Sequence, residues 1–185
     1  MNMLPRRASP PVTSYSVRRL HSADAAAYRE LRLEGLRAHP QAFAASWAQE
    51  HGRPLSWFEQ RLADGLVLGA WSGDADLVGI MGLHVPESPK LSHKGMLWGV
   101  YVRPRARGTG LAGELLGRTL ALAEGMVEEV LLTVQASNAA ALNLYRRAGF
   151  TEYGLERRAL KIDGRYYDEV LMALPLAGAG FRSPA

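Results

Sequence analysis

The chain has 185 residues, of which 48% are hydrophobic and 22% charged, and its formal net charge is +4. This length and composition predict one globular domain with a full hydrophobic core. The sequence contains no cysteine, which excludes disulfides, cysteine-ligated zinc and thiol catalysis.

The histidines and the N-terminal segment argue against a metal centre and a membrane partner. The histidines lack the spacing of metal ligands; they are His21, His39, His51, His84 and His93. The first 14 residues carry two arginines but no apolar h-region, and no apolar run is long enough to span a membrane. We therefore expect a cytoplasmic protein with no metal.

The first half of the chain predicts a strand, two helices and three antiparallel strands. Apolar–polar alternation and turn residues indicate the strands, and a cap signal at 21–24 starts the first helix. Pro40 disfavours helix at the preceding residue. The predicted strands are 15–19, 66–71, 77–85 and 94–102, and the predicted helices are 25–37 and 56–62.

The second half predicts two helices and three further strands. The main helix, 110–123, has leucines at three- and four-residue spacing, and the apolar run 130–134 indicates a central strand buried on both faces. A helix then runs from about Asn138 to Gly149, and two late strands pair around Asp163-Gly164; these strands are 151–160 and 166–174. We expect a single domain over 15–176, with flexible tails over 1–14 and 177–185.

A turn rich in arginine and glycine joins the strand 94–102 to the main helix. Residues 97–110 read Leu-Trp-Gly-Val-Tyr-Val-Arg-Pro-Arg-Ala-Arg-Gly-Thr-Gly. A helix N-terminus offers unpaired N–H groups and a partial positive charge, so it can hold an anion. Gly108 and Gly110 allow close approach of the backbone, and Arg103, Arg105 and Arg107 add charge. The pattern predicts a pyrophosphate site.

Other phosphate-binding motifs match this turn less well. Gly108, Gly110 and Gly113 have the Rossmann spacing, but five residues separate the strand from the first glycine and no acidic residue ends the next strand. The Gly-Lys-Ser/Thr of a P-loop is missing. Arg105-x-x-Gly108-x-Gly110 instead resembles the acetyl-CoA motif of the GNAT family of N-acetyltransferases.

A second segment strengthens this resemblance. From 130 to 150 the chain reads Val-Leu-Leu-Thr-Val-Gln-Ala-Ser-Asn-Ala-Ala-Ala-Leu-Asn-Leu-Tyr-Arg-Arg-Ala-Gly-Phe, which is similar to the second half of the GNAT core. Asn138, Ala141 and Tyr145 are spaced i, i+3 and i+7, so they share one helix face. The alternative interpretation of this helix face is that Tyr145 only packs against the sheet.

The resemblance covers residues 15–176 and implies an α/β (α+β) fold. The expected sheet is mixed, mostly antiparallel, with about seven strands flanked by about four helices and splayed between the fourth and fifth strands. The pantetheine arm of acetyl-CoA is expected in that gap, bound by the backbone of Tyr101 and Val102. The resemblance places the pyrophosphate at Gly108, Thr109, Gly110, Leu111 and Ala112, with Asn138 and Ala141 also at the cofactor.

The implied reaction moves the acetyl group of acetyl-CoA to a primary amine of a small molecule or peptide. Backbone N–H groups at 100–102 are expected to bind the thioester carbonyl, and Tyr145 to act as general acid for the leaving thiolate. No general base is assigned, since a water relay is common in this family. Candidates by residue type are Glu34, Glu50, His84, Glu87, His93 and Asp168.

Several alternatives stay open at this stage. The acceptor could be a protein N-terminus or a lysine, or the chain could be a non-catalytic CoA-binding regulatory module, although a phenol at Tyr145 argues for an enzyme. Nucleic-acid binding is the weaker interpretation, because 22 basic residues stand among 18 acidic ones without a long basic run. A homodimer is left open. Aromatic residues between the first two helices are either acceptor-pocket walls or core; they are Phe43, Trp47 and Trp57.

Overall fold

The computed structural model describes residues 14–73 and 75–176. The predicted tails lie outside these ranges, apart from Ser14. The strands are β1 Tyr15–Arg19, β2 Leu66–Ser72, β3 Asp76–His84, β4 Lys94–Val102, β5 Glu129–Gln135, β6 Thr151–Ile162 and β7 Arg165–Pro175. The helices are α1 Ala25–Ala38, α2 Trp47–Glu50, α3 Leu55–Asp64, α4 Leu111–Ala123 and α5 Ala139–Arg147. Within the described ranges, no helix is long and apolar enough to cross a membrane.

The seven strands form one mixed sheet in the order β1-β2-β3-β4-β5-β7-β6. Neighbouring strands are antiparallel except for the parallel pair β4–β5. The predicted turn Asp163-Gly164 joins β6 to β7, and both of its residues have positive φ. The expected mixed, mostly antiparallel sheet is therefore confirmed.

The parallel pair is short, and the sheet opens beyond it. The β4–β5 register runs from Lys94↔Glu129 to Met96↔Leu131 and stops there. β4 continues beside β3 to Val102 with an irregularity opposite Met81, where Gly99 has a φ of 65°. β5 continues beside β7 to Gln135. The splay predicted between the fourth and fifth strands is thus present.

Two apolar clusters cover opposite faces of the sheet. Helices α1 and α3 pack on one face, where Tyr28, Leu31 and Phe58 are fully buried with Ile80 of β3. Helices α4 and α5 pack on the other face. Side chains of β2 alternate between the two clusters, since Val67 and Leu68 are both buried but on opposite faces of the sheet.

One prediction about local structure was wrong, and one helix was not predicted. β5 is not buried on both faces: Val130, Leu132 and Val134 are buried, but Thr133 is exposed. That second face of β5 is uncovered because the apolar cluster under α1 and α3 includes no residue of β5. The short helix α2 was missed, although Ser46 forms a capping box with Gln49 at its start.

The close contact of β3 with β4 gives a test of the packing. A Cβ on Gly82 would overlap the indole of Trp98, and an aromatic ring cannot yield as a flexible chain end can. We expect Gly82→Ala to lower the free energy of unfolding by about 1–3 kcal/mol, measured by denaturant titration. The control Gly117→Ala, in α4 with no atom within 4 Å of the new Cβ, should raise stability by up to about 1 kcal/mol. Equal effects of the two substitutions would contradict this packing.

Candidate active site

A cavity opens where β4 and β5 separate. Its walls come from the end of β4, the turn after it, the start of α4, the end of β5 and α5. Predicted site residues on these walls are Tyr101, Val102, Arg107, Gly108, Gly110, Leu111, Ala112, Asn138, Ala141 and Tyr145. The splayed sheet thus brings together both motif segments of the sequence.

The N-terminus of α4 has room for an anion against its backbone. Gly108 and Gly110 have φ angles of 75° and 88°, a conformation that L side chains rarely adopt. A Cβ built on either glycine would meet no atom within 4 Å, and Gly110 provides no side-chain cap. Thr109 turns away, since its hydroxyl donates to the Ala106 carbonyl over 2.8 Å. The free N–H groups of the first helical turn fit a pyrophosphate.

The three arginines of the turn have different partners. Arg103 donates to Glu30, Glu34 and Asp76 at 2.7–3.0 Å, and Arg105 is paired with Asp76. These two guanidiniums are held by carboxylates, and of the three arginines Arg107 is the one that lines the cavity.

Arg107 lies at the cavity wall. Its Nε donates to the Val102 carbonyl over 2.8 Å, and its Nη2 is 3.0 Å from Nε2 of His39. Its guanidinium also lies 5.7 Å from the centroid of the Tyr101 ring. Neither partner of Arg107 in these hydrogen bonds is a carboxylate, so its positive charge is available to an anion in the cavity.

The helix face predicted on α5, formed by Asn138, Ala141 and Tyr145, lines the cavity. Asn138 caps the helix, because its Oδ1 accepts a hydrogen bond from the Ala141 N–H over 3.2 Å. Tyr145, two turns on, is 5% exposed and packs edge-on against Phe150. Burial raises the pKa of the Tyr145 phenol to about 12. The phenol therefore keeps its proton at neutral pH.

The candidate bases divide into cavity residues and residues with other partners. His84 and Glu87 line the cavity. Glu34 accepts from Tyr101 and Arg103, Glu50 is paired with two arginines, and Asp168 accepts from the Arg158 N–H. The backbone carbonyl of His93 accepts from the start of β5. Its side chain is not among those lining the cavity.

Sequence reasoning missed one carboxylate and one cluster of charges at the cavity. Glu169 of β7 lies opposite Gln135, lines the cavity and is half-buried. Burial raises its pKa, and the like charge of Glu156 on β6 adds to the shift. On the other wall, Arg32 and Arg61 flank Glu50 beside Trp98. The alternation of β7 could have indicated Glu169, but no local pattern indicates the second group.

Of the three predicted pocket aromatics, one is placed on the cavity. Phe43 lines it. Trp47 stacks on His51 at 3.9 Å, and Trp57 packs edge-on against Phe58 at 4.9 Å. Trp98 of β4, which was not predicted, lines the cavity as well. In residues 14–73 and 75–176, no three acidic or histidine side chains come together as metal ligands do.

Comparison with known proteins agrees with this geometry. The family model described as "Acetyltransferase (GNAT) family" matches residues 27–150. The chain belongs to the GNAT acetyltransferase family. It is therefore an acetyltransferase that uses acetyl-CoA, and the regulatory-module alternative is not retained.

Three individual proteins illustrate the similarity. L-amino acid N-acetyltransferase AaaT of Escherichia coli (strain K12) is 27% identical over 161 residues, 85% of this chain and 95% of AaaT. N-alpha-acetyltransferase RimI of Mycobacterium tuberculosis (strain ATCC 25618 / H37Rv) is 38% identical over 52% of this chain and 59% of RimI. The structure of yncA, a putative acetyltransferase from Salmonella typhimurium with its cofactor acetyl-CoA, superimposes with a TM-score of 0.73 at 23% identity, covering 93% of this chain and 98% of yncA. The yncA structure shares the fold of this chain.

The open backbone at the start of α4 leads to a binding prediction. Gly110→Ala places a Cβ in the space that suits the pyrophosphate and strains a residue with positive φ, so we expect at least a tenfold loss of CoA affinity by calorimetry. Gly125→Ala is the matched control: its φ is 80° and a Cβ there would also meet no atom within 4 Å, but it follows the C-terminal end of α4. Equal losses of affinity in both variants would indicate strain alone.

Proposed function

We propose that the GNAT protein moves the acetyl group of acetyl-CoA to a primary amine of an amino acid or peptide by direct attack in a ternary complex. The observation that carries this proposal is the position of Tyr145, buried on the wall of the cavity to which the start of α4 also contributes. An anion site and a protonated phenol at one cavity suit thioester chemistry, because the leaving thiolate needs a proton.

In the proposed step, bound acetyl-CoA supplies the acetyl thioester. The acceptor ammonium first loses one proton to water or to a cavity side chain. Its nitrogen then forms a bond to the acetyl carbon while the carbon–sulfur bond breaks, and Tyr145 donates its proton to the departing sulfur. The acylated nitrogen loses a second proton, which restores the Tyr145 phenol directly or through water. The buried Tyr145 phenol is protonated at neutral pH, so it holds the proton that the departing sulfur takes.

Backbone N–H groups at the irregularity of β4 are proposed to bind the oxygen of the acetyl carbonyl during this step. Gly99 and Val100 lie together opposite the single residue Met81, between the pairs Ile80↔Tyr101 and Gly82↔Trp98. A bulge of this kind leaves N–H groups outside the ladder, and Gly99, Val100 and Tyr101 line the cavity. These groups are preorganised to donate to a carbonyl oxygen. The backbone of Tyr101 and Val102 remains the proposed partner of the pantetheine arm.

The choice of acceptor rests on the relatives. AaaT is named for L-amino acids and RimI for N-alpha-acetylation, which favours an α-amine. Acetylation of a protein lysine is the second candidate. A screen of amines, amino acids and peptides, read out by thiol release, distinguishes these acceptors.

The role of Tyr145 is tested by removing one hydroxyl. We expect Tyr145→Phe to lower kcat by about 10²- to 10⁴-fold while changing CoA affinity little, because proton donation acts in the chemical step. Steady-state kinetics and calorimetry with CoA measure the two effects. Tyr153→Phe, an exposed tyrosine of β6, is the control and should be unaffected.

The pH profile provides a second measure of the same residue. A general acid acts while it is protonated, so a pKa of about 12 predicts no loss of kcat from Tyr145 between pH 7 and pH 10. Near-full turnover of Tyr145→Phe at neutral pH would contradict the proposal and assign Tyr145 to packing alone.

Asn138 has a structural role in this fold and a proposed role at the cofactor. Asn138→Ala removes the acceptor of the Ala141 N–H, which should cost about 0.5–2 kcal/mol of stability, whereas Asn138→Ser keeps a cap and most of that stability. We expect both variants to raise KM for acetyl-CoA. An unchanged KM in both would leave Asn138 as a helix cap only.

A further inference from the structure

A cluster of charged and aromatic side chains forms the acceptor side of the cavity, on the sheet face opposite α4. It consists of Arg32 of α1, Glu50 of α2, Arg61 of α3 and Trp98 of β4, and is called the arginine cluster here. Arg32, Arg61 and Trp98 line the cavity. The cluster reaches the bend of β4, because a Cβ built on Gly99 would lie 3.4 Å from Nη1 of Arg32.

One carboxylate in the cluster serves two guanidiniums. Arg32 donates from Nε and Nη2 to both oxygens of Glu50 at 3.0 and 2.8 Å, and both side chains are about 5% exposed or less. Arg61 reaches the same carboxylate only from Nη1, at 3.3 Å. The pair Arg32–Glu50 is therefore complete, and the surplus positive charge of the cluster lies on Arg61.

Neighbouring charges do not remove this surplus. Asp64 and Arg19 also line this part of the cavity, and their charges cancel. Asp64 accepts two hydrogen bonds from Gln60 at 2.8 Å, and Arg19 donates to the Gly65 carbonyl. Arg61 itself is 27% exposed, and its guanidinium stacks 4.5 Å from the Trp98 ring centroid. It also lies 4.9 Å from the Trp57 ring centroid. Because Arg61 lines the cavity and, among the residues that the structure describes, donates only one hydrogen bond, to Glu50, its other N–H groups are available to a ligand there.

A partly buried cation at the wall of a substrate cavity is best matched by an anionic group of the substrate. We propose that the acceptor is a free amino acid whose α-carboxylate binds Arg61 beside Trp98. This inference rests on the proposed function. In an amino acid, a single carbon separates the carboxylate from the amine, so a carboxylate held at Arg61 fixes the amine in the cavity. A peptide N-terminus has a neutral amide at the same position and leaves the charge of Arg61 unmatched.

The test compares acceptors that differ in one group. The twenty L-amino acids are assayed with acetyl-CoA, and each one that reacts is compared with its carboxamide and with a dipeptide that begins with the same residue. We expect the wild-type protein to prefer the acid by about 10- to 100-fold in kcat/KM, the effect of one charge-assisted hydrogen-bonded pair. An amide or dipeptide that reacts as well as the acid would overturn the inference and leave the acetyltransferase activity intact.

Two variants assign the preference to Arg61. Arg61→Gln should abolish the preference for the acid mainly through KM, while the amide reacts as before. Arg53→Gln is the control, because Arg53 lies over the Trp57 ring at 5.8 Å but is not among the residues lining the cavity. A preference that survives in Arg61→Gln would overturn the assignment.

Folding and binding are checked separately from turnover. Thermal melting shows whether Arg61→Gln folds, and Arg61→Lys supplies a second variant that keeps the charge but loses the planar donor pair. Calorimetry of the preferred amino acid with the CoA-bound protein should show binding to wild type and at least a tenfold loss in Arg61→Gln. Acetylation of none of the amino acids, amides or dipeptides would contradict the proposed function and remove this inference with it.

Discussion

β4 pairs with β5 at only three register positions, and the position of the whole site depends on where that pairing stops. Because the two strands are parallel, they end at the same edge of the sheet, and the segments after them start α4 and α5 there. Had the pairing continued to Val102 and Gln135, backbone hydrogen bonds would fill the space that is now a cavity. The divergence therefore creates both the gap and the two helix starts that border it.

The two helix starts that border the cavity differ in their capping. In the first turn of α5, the Ala141 N–H donates to Asn138. The first turn of α4 begins at Gly110, which has no side chain to accept from it. Uncapped N–H groups at a helix start carry the positive end of the helix dipole, so the start of α4 is the one at which a pyrophosphate is proposed to bind. Tyr145, the proposed acid, lies on the other helix.

Local patterns predicted much of the fold and both segments that border the cavity. β4 and the Asp163-Gly164 turn follow from alternation and turn chemistry, which act between near neighbours. The partners of Arg103, by contrast, come from α1 and β3, 27 to 73 residues away in the chain, and no periodicity indicates such pairs. The exposure of Thr133 on β5 was missed because it depends on how far α1 and α3 extend over the sheet. Glu50 was considered only as a candidate base, and its pairing with Arg32, 18 residues away in the chain, has no periodicity that would indicate it.

Two of the three arginines that mark the turn in the sequence, Arg103 and Arg105, are held by carboxylates at the end of β4. Beyond Met96 this strand has lost β5, so one side of it lacks ladder hydrogen bonds. Arg103 ties the strand end to Glu30 and Glu34 of α1, Tyr101 donates to the same Glu34 over 3.0 Å, and Arg107 donates to the Val102 carbonyl. Several partly buried ties act together here, which makes them stronger than isolated surface pairs. Side-chain bonds to α1 thus replace a missing neighbour strand. They fix the strand edge on which pantetheine binding is proposed to depend, whereas the proposed anion site is formed by the α4 backbone and Arg107.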